Sequence, residues 1–265
     1  MSKVIRTVVT IFAIGLFIFS GFQLLEIFAG YRRESQQTHQ EAEAYVQTLP
    51  KPTLPSRPPA ESQSTDPSES QPVPEYAPIQ VDFESLLEDN PHVIGWIYGP
   101  DSPISYPIVQ TENNTDYLRA GLDGSYRHGG TIFLDFRCSG DFSDLNSIVY
   151  GHNLLDDTMF GTLEDYKSQG YYSAHRTLYL LTPQADYRLE VIAGLSLDAR
   201  DALYRTDHTE ETYREFLDQV LAASDFQTDF PREEIVRTVS LSTCSYSSDD
   251  ARYLLVAALI PLDKP

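Results

Sequence analysis

The sequence is poor in basic residues. Its 265 residues include 19 Lys and Arg against 39 Asp and Glu, which gives a formal net charge of −20. A protein that binds DNA or RNA needs a basic surface to face the phosphates. The charge balance therefore predicts that nucleic acid is not a partner.

Cysteine is also scarce, since Cys138 and Cys244 are the only two. Neither stands with a histidine or another cysteine at the spacing of metal ligands, and no phosphate-binding glycine loop or dinucleotide fingerprint occurs. We therefore expect no metal or other cofactor. Three interpretations of the cysteines stay open: a Cys138–Cys244 disulfide, two buried thiols, or one reactive thiol and one unreactive one.

Long apolar runs are confined to the N-terminus. Val8–Leu25 contains no charged residue and is long enough for a membrane-spanning helix. It exceeds the apolar core of an ordinary signal peptide, and no small-residue cleavage site follows it cleanly. We predict that residues 1–33 form a short cytoplasmic tip and an uncleaved signal anchor that crosses the cell membrane once.

The next segment, residues 34–78, is predicted to be an extracellular linker. Its first part is polar and can extend as a helix, while Leu49–Pro78 carries nine of the 17 prolines among Ser, Gln and Glu. Such a composition cannot bury a core and favours an extended spacer. Residues 79–265 are then expected to form one globular, extracytoplasmic domain.

Short apolar or alternating runs, broken by Gly, Pro, Asn and Asp, fill this domain and predict a mostly β fold, a barrel or a sandwich. Helices are expected at Val81–Glu88, at Phe160–Ser168, and at Thr209–Ala223 with Thr209 as its N-cap. The eight predicted strands are Val93–Tyr98, Ser105–Val109, Gly130–Asp135, Ser147–Tyr150, Thr177–Thr182, Tyr187–Leu197, Ile235–Thr243 and Arg252–Leu259.

The run Thr238–Cys244 alternates in character. Val239 and Leu241 are predicted to face the core, and Ser240, Ser242 and Cys244 the opposite, polar surface. Arg252 begins the following apolar strand. If these two strands form a hairpin they lie about 4.8 Å apart, so the arginine can reach over the thiol.

His152 differs from the other five histidines because it stands on a tight turn directly after a predicted strand, in Tyr150-Gly-His-Asn153. A scaffold-held histidine supplies acid–base chemistry near neutral pH. A nearby cation lowers the pKa of a thiol, and an arginine stabilises an oxyanion. His152, Cys244 and Arg252 are therefore a candidate catalytic set.

Eight segments of the chain form a recognisable series. In chain order they are Tyr106-Pro-Ile-Val-Gln110, Asn114, Asp116-Tyr-Leu118, Gly130-Thr-Ile-Phe-Leu-Asp135, Tyr150-Gly-His-Asn153, Met159-Phe-Gly-Thr-Leu163, Ser240-Leu-Ser-Thr-Cys244 and Asp250-Ala-Arg252. Together they resemble the class B sortases, over roughly Phe83 to Ile260. Ser240 stands where that family has Thr.

The resemblance implies an eight-stranded sortase-type β-barrel with an N-terminal helix and a helix between the sixth and seventh strands. It also implies a cysteine transpeptidase with Cys244 as nucleophile, His152 as acid and base, and Arg252 as stabiliser of the substrate carbonyl or oxyanion. The residues that would line the sorting-signal groove are Asn114, Leu118, Tyr150, Ser242 and Thr243.

By the same resemblance, the partners are surface proteins of a Gram-positive bacterium that carry a C-terminal sorting signal. The acceptor amine belongs to a lipid-linked peptidoglycan precursor or to a pilin lysine, or water takes its place. The sorting motif and the choice between wall anchoring and pilus assembly stay open. The alternative function is a non-enzymatic, membrane-tethered surface protein that binds a wall component or a protein.

Overall fold

The computed structural model describes residues 3–49, 76–154, 156–244 and 251–264. The chain forms two compact units, Met1–Glu41 and Ala42–Pro265. Helix α1 (Lys3–Glu43) makes up the first unit. Within it, Ile5–Glu26 is long and apolar enough to cross a membrane, and none of this stretch is buried.

A two-stranded antiparallel ribbon opens the second unit. Strand β1 (Val46–Thr48) pairs with β2 (Ile79–Val81), and Tyr45 and Val46 pack against the barrel's outer apolar cluster. β1 therefore lies inside the segment that composition assigned to the linker. Residues 50–75 of that segment lie outside the described residues.

Eight strands close into a barrel in the order β10-β8-β7-β3-β4-β5-β6-β9. This confirms the predicted mostly β, eight-stranded fold. The barrel strands are β3 (Val93–Tyr98), β4 (Ser105–Val109), β5 (Ile132–Leu134), β6 (Asn146–Gly151), β7 (Thr177–Leu181), β8 (Asp186–Asp198), β9 (Thr238–Cys244) and β10 (Ala251–Leu262).

Of the three α-helices described in the second unit, the first and the third lie where the sequence predicts a helix, and the second was not predicted. α2 (Phe83–Asp89) precedes the barrel and α3 (Gln169–Ala174) precedes β7. α4 (Glu210–Ala223) lies between β8 and β9, the sixth and seventh barrel strands, with Thr209 as N-cap in a capping box with Thr212. This agrees with the predicted helix position.

The helix predicted at Phe160–Ser168 is instead a 3₁₀ helix, Gly161–Lys167. The Leu163 amide bonds the Phe160 carbonyl three residues back, at 3.2 Å. The run is short and its apolar side chains Phe160, Leu163 and Tyr166 are all buried. The tighter turn suits a brief segment whose position is set by tertiary packing.

Two ladders bring the ends of separate strands to one edge of the barrel. β6 and β9 run parallel, with Gly151 opposite Thr243, and β9 and β10 run antiparallel, with Arg252 opposite Cys244. Parallel strands end at the same edge of a sheet. The backbone of His152, which directly follows β6, therefore lies at the same edge as that of Cys244.

The alternation of β9 is correct for its core face, because Val239 and Leu241 lie in the barrel core. The other face is polar as expected but is not a surface, since Ser240 and Ser242 are no more than 1% exposed. The Ser240 hydroxyl donates to Asn146 Oδ1 at 2.8 Å. Neighbouring elements cover this face, so its hydroxyls are bonded within the protein.

Candidate active site

His152 is held by the backbone of a different segment. Its Nε2 atom lies 2.9 Å from the carbonyl oxygen of Leu118, the last residue of a 3₁₀ turn, Asp116–Leu118. Since a carbonyl only accepts, Nε2 carries the hydrogen and Nδ1 is the nitrogen left to exchange a proton. The contact thus sets both the tautomer and the ring orientation.

The pKa of His152 is lowered from its usual value. Burial of the imidazole is the main cause, because the charged form loses hydration. The bond to Leu118 acts in the opposite direction, and the positive charges of Arg119 and Arg252 lower the pKa further. His152 is therefore predominantly neutral at pH 7.

Gly130 supports the Leu118 carbonyl. Its φ is +57°, and a Cβ at this position would meet the carbonyl oxygens of Tyr117 and Leu118, the latter at 2.7 Å. A residue without a Cβ is needed where backbone approaches this closely at positive φ. Gly130 thus allows the backbone at Tyr117 and Leu118, which orients His152, to pack closely against the backbone at residue 130.

A groove of about 460 Å³ opens beside His152. All five residues that the sequence assigned to substrate binding line it, together with His152 and Arg252. The lining residues are Asn114, Leu118, Phe133, Arg137, Tyr150, Gly151, His152, Ala199, Arg200, Asp201, Tyr204, Ser242, Thr243 and Arg252.

The backbone of Cys244 lies next to the groove residue Arg252, because the two residues are paired between β9 and β10. The Cys244 side chain lies outside the described residues. Arg252 is half-buried and donates from Nη1 to the Ala251 carbonyl at 3.0 Å. The structure thus brings seven of the eight predicted side chains to one groove and the backbone of the eighth to its edge.

Cys138 is a different kind of cysteine. It is a free thiol, 5% exposed, in the barrel's main apolar cluster. Burial raises its pKa to about 12, because the thiolate would be poorly solvated. Cys138 is thus a buried, unreactive thiol and does not form a disulfide in the structure.

Sequence reasoning missed a polar cluster at the same groove. Asp135 is fully buried and accepts hydrogen bonds from Arg137 and from the Tyr150 hydroxyl. Burial by itself raises the pKa of Asp135, but the bonds from Arg137 outweigh it and the pKa is lowered. The sequence does contain a signal for this pair. In Asp135-Phe-Arg137, at the end of a strand, the two opposite charges are two residues apart and so lie on the same side of the chain.

Tyr204 was also missed. Its ring stacks on that of Tyr150 at 6.3 Å between centroids, and its hydroxyl lies 2.8 Å from the Ser242 hydroxyl. It lies between β8 and α4, in a connection whose length and polarity carry no recognisable pattern. Within residues 3–49, 76–154, 156–244 and 251–264, no group of three His, Cys, Asp or Glu is placed to bind a metal.

Two curated relatives are similar to this chain, and both are class B sortases. The chain is 34% identical over 185 residues to Sortase B of Staphylococcus aureus, covering 69% of this chain and 76% of the relative. It is 28% identical over 172 residues to Sortase B of Listeria monocytogenes, covering 64% and 70% of the two chains. No family model matches the chain.

Solved structures give the same result. A Staphylococcus aureus sortase B–substrate complex has a TM-score of 0.64 at 33% identity and covers 68% of this chain and 85% of that one. Clostridium perfringens sortase B has a TM-score of 0.63 at 27% identity, covering 68% and 100%. The shared fold is the closed sortase barrel. The chain belongs to class B of the sortase family and is a cysteine transpeptidase, which confirms the resemblance seen in its motifs.

Proposed function

We propose that this transpeptidase is membrane-anchored, cleaves a C-terminal sorting signal through a thioester on Cys244, and transfers the new carboxyl end to an amine. The observation that carries the proposal is the convergence of His152, Arg252 and five predicted groove residues on one groove. The backbone pairing of Arg252 with Cys244 at its edge supports the same assignment.

The first half-reaction forms the acyl-enzyme. The Cys244 thiolate attacks the carbonyl carbon of a Thr in the sorting signal, a C–S bond forms, and the carbonyl electron pair moves to oxygen. Arg252 stabilises that oxyanion. The oxyanion then collapses, the C–N bond breaks, and His152 in its imidazolium form donates the proton that the leaving amine needs.

The second half-reaction releases the product. An acceptor amine attacks the thioester carbon, neutral His152 takes its proton, and the C–S bond breaks to restore the thiolate. Because burial lowers the pKa of His152, only a fraction of the enzyme holds imidazolium beside thiolate at neutral pH. The acceptor in this proposal is a lipid-linked peptidoglycan precursor or a pilin lysine.

The N-terminal region supports an extracytoplasmic, single-pass arrangement. Ile5–Glu26 would cross the membrane, with residues 1–33 as tip and anchor, residues 34–78 as the linker and residues 79–265 as the catalytic domain. Within the linker segment, β1 pairs with β2 and so belongs to the folded domain. The substrates would be surface proteins that bear a sorting signal. A non-enzymatic surface protein is not favoured, because the relatives are sortases.

The test is a turnover assay on the full chain in detergent. Pentapeptide sorting signals are screened with a dye and a quencher on either side, and an amine is added as acceptor. The wild type should release the leaving fragment and show the mass of an acyl-enzyme. Cys244→Ala should do neither, while Cys138→Ala should do both; turnover by Cys244→Ala would contradict the mechanism.

A further inference from the structure

We propose that Arg137 is a substrate-binding residue of the groove and that the buried Asp135 is the positioning residue that holds it. The inference rests on the proposed function, since it takes the bound sorting signal as the ligand. Neither residue belongs to the catalytic set, and Arg137 lies on the groove lining.

Asp135 follows β5 and has no solvent exposure. Its Oδ1 accepts from the backbone amide of Arg137 at 3.0 Å and from Arg137 Nε at 2.9 Å. Its Oδ2 accepts from Arg137 Nη2 at 2.8 Å and from the Tyr150 hydroxyl at 3.0 Å. Four hydrogen bonds thus compensate one buried carboxylate, which is what such a charge requires.

The arginine is only partly used by this pairing. Its side chain is 45% exposed, and Nη2 also reaches the Tyr204 carbonyl at 3.4 Å. Nη1 has no hydrogen-bond partner among the residues that the structure describes. Since the guanidinium is planar and two of its donors are fixed by Asp135, the direction of Nη1 is fixed as well.

A fixed donor on the lining of a peptide groove binds an oxygen of the peptide. The negative charge of Asp135 balances the positive charge of Arg137. The arginine therefore contributes to substrate binding mainly through a directed hydrogen bond and only weakly through its charge. The matching ligand group is a backbone carbonyl, or the carboxamide or carboxylate of a side chain. The peptide backbone and a peptide side chain both offer an oxygen acceptor. The alanine-substituted peptides described below distinguish between them.

The same carboxylate also orients Tyr150, a second residue of the lining. Tyr150 is bonded to Asp135 and stacks on Tyr204, whose hydroxyl contacts Ser242. Asp135 therefore fixes the position of Arg137 relative to Tyr150.

The first variant is Arg137→Lys in the full chain. Lysine keeps a positive charge beside Asp135 but cannot make the fork that aims Nη1. We expect KM for a turned-over sorting peptide to rise roughly tenfold with kcat within about twofold of wild type, because a ground-state contact is lost. The thermal midpoint should not change measurably.

The matched control is Arg232→Lys. Arg232 is 39% exposed and donates to one carboxylate, Asp218, from Nε at 3.0 Å and Nη2 at 2.8 Å, but it is absent from the groove lining. Its KM should equal that of the wild type. A wild-type KM for Arg137→Lys, or a loss confined to kcat, would overturn the proposal.

Asp135→Asn tests the positioning role. It should raise KM in the same way, and combining it with Arg137→Lys should add less than about threefold, since both act on one contact. Fully multiplicative effects would show that Asp135 acts independently and would overturn that half of the proposal. If the wild type turns over no sorting peptide, the proposed function itself fails.

Alanine substitution at each peptide position identifies the acceptor. If one alanine peptide abolishes the difference between wild type and Arg137→Lys, the acceptor is that side chain. If every peptide retains the difference, the acceptor is a backbone carbonyl. Either pattern supports Arg137 as a binding residue.

Discussion

The imidazole of His152 donates from Nε2 to the carbonyl oxygen of Leu118, 2.9 Å away. Leu118 also lines the groove. One residue therefore orients the candidate acid–base catalyst through its backbone carbonyl and also lines the predicted substrate site. A change in the segment that carries Leu118 should affect catalysis and binding together.

The first prediction concerns the titration of His152. Burial, with smaller contributions from Arg119 and Arg252, lowers the pKa of this imidazole. NMR of the His152 ring should give a midpoint below 6.5, its usual value. Arg119→Gln removes one repelling charge and should raise the midpoint. A midpoint above 6.5 in the wild type would show that the imidazolium is stabilised and not penalised.

The lowered pKa of His152 also makes the free energy of unfolding depend on pH. Between the native pKa and 6.5 the unfolded chain binds more protons at His152 than the native protein does, so stability decreases as the pH falls through this window. Above about 6.5 the penalty is absent. His152→Gln should flatten this part of the curve, as measured by urea unfolding from pH 7.5 to 5. His208, whose pKa is also lowered by burial, contributes slope of the same sign and is unchanged in this variant.

The second prediction concerns Gly130→Ala. The added Cβ meets the Leu118 carbonyl region at a positive φ, so the backbone that holds His152 must move. We expect a loss of more than about 1 kcal/mol in unfolding free energy, because an alanine is strained at positive φ and its Cβ would clash with two backbone carbonyls. We also expect a fall in kcat of roughly tenfold or more, because small misplacements of a catalytic group are costly.

Gly124→Ala is the control for Gly130→Ala. Gly124 has φ +75°, and a Cβ there would have nothing within 4 Å. It should share the backbone penalty without the loss of kcat. Equal kcat values in the two alanine variants would mean that Gly130 does not support the position of His152.

The third prediction concerns the two thiols. Cys138 is buried with a pKa raised to about 12, so it should resist a thiol-specific alkylating reagent at neutral pH. Mass spectrometry of the native chain should show one adduct, and Cys244→Ala should show none. Rapid modification of Cys138 in the folded protein would contradict its assigned burial.

The fourth prediction concerns Ser240, where the family motif has Thr. Its buried hydroxyl donates to Asn146 Oδ1, which also accepts from Thr238 at 2.9 Å. Ser240→Ala should cost about 1 kcal/mol of unfolding free energy, the usual value of one such bond. Its kcat should stay at the wild-type value, because Ser240 is not on the groove lining; chemical denaturation and turnover measure both.

Periodicity and turn residues were sufficient to predict the barrel strands, because each apolar or alternating run is bounded by turn residues and places apolar side chains in the core. The Tyr150-Gly-His-Asn153 turn and the alternation of β9 likewise indicated the site. They could not show that Ser240 and Ser242 are buried, since hydroxyls bonded to Asn146 and Tyr204 have the same pattern as hydroxyls in water.

The Asp135–Arg137 pair was missed for a similar reason. A charged residue at a strand end ordinarily faces solvent, and only the three-dimensional structure shows Asp135 enclosed and bonded to Tyr150. Strand β1 was missed because three residues paired with a distant partner have no periodicity that a local pattern can detect.

The parallel ladder between β6 and β9 has an evolutionary consequence. The spacing between His152 and the backbone of Cys244 is set by one hydrogen-bonded register, from Asn146 opposite Thr238 to Gly151 opposite Thr243. The intervening chain carries β7, β8 and α4 but does not determine that spacing. A change in the connection between β8 and α4, which supplies Ala199, Arg200, Asp201 and Tyr204 to the groove lining, can therefore reshape the groove while the register that sets this spacing stays the same.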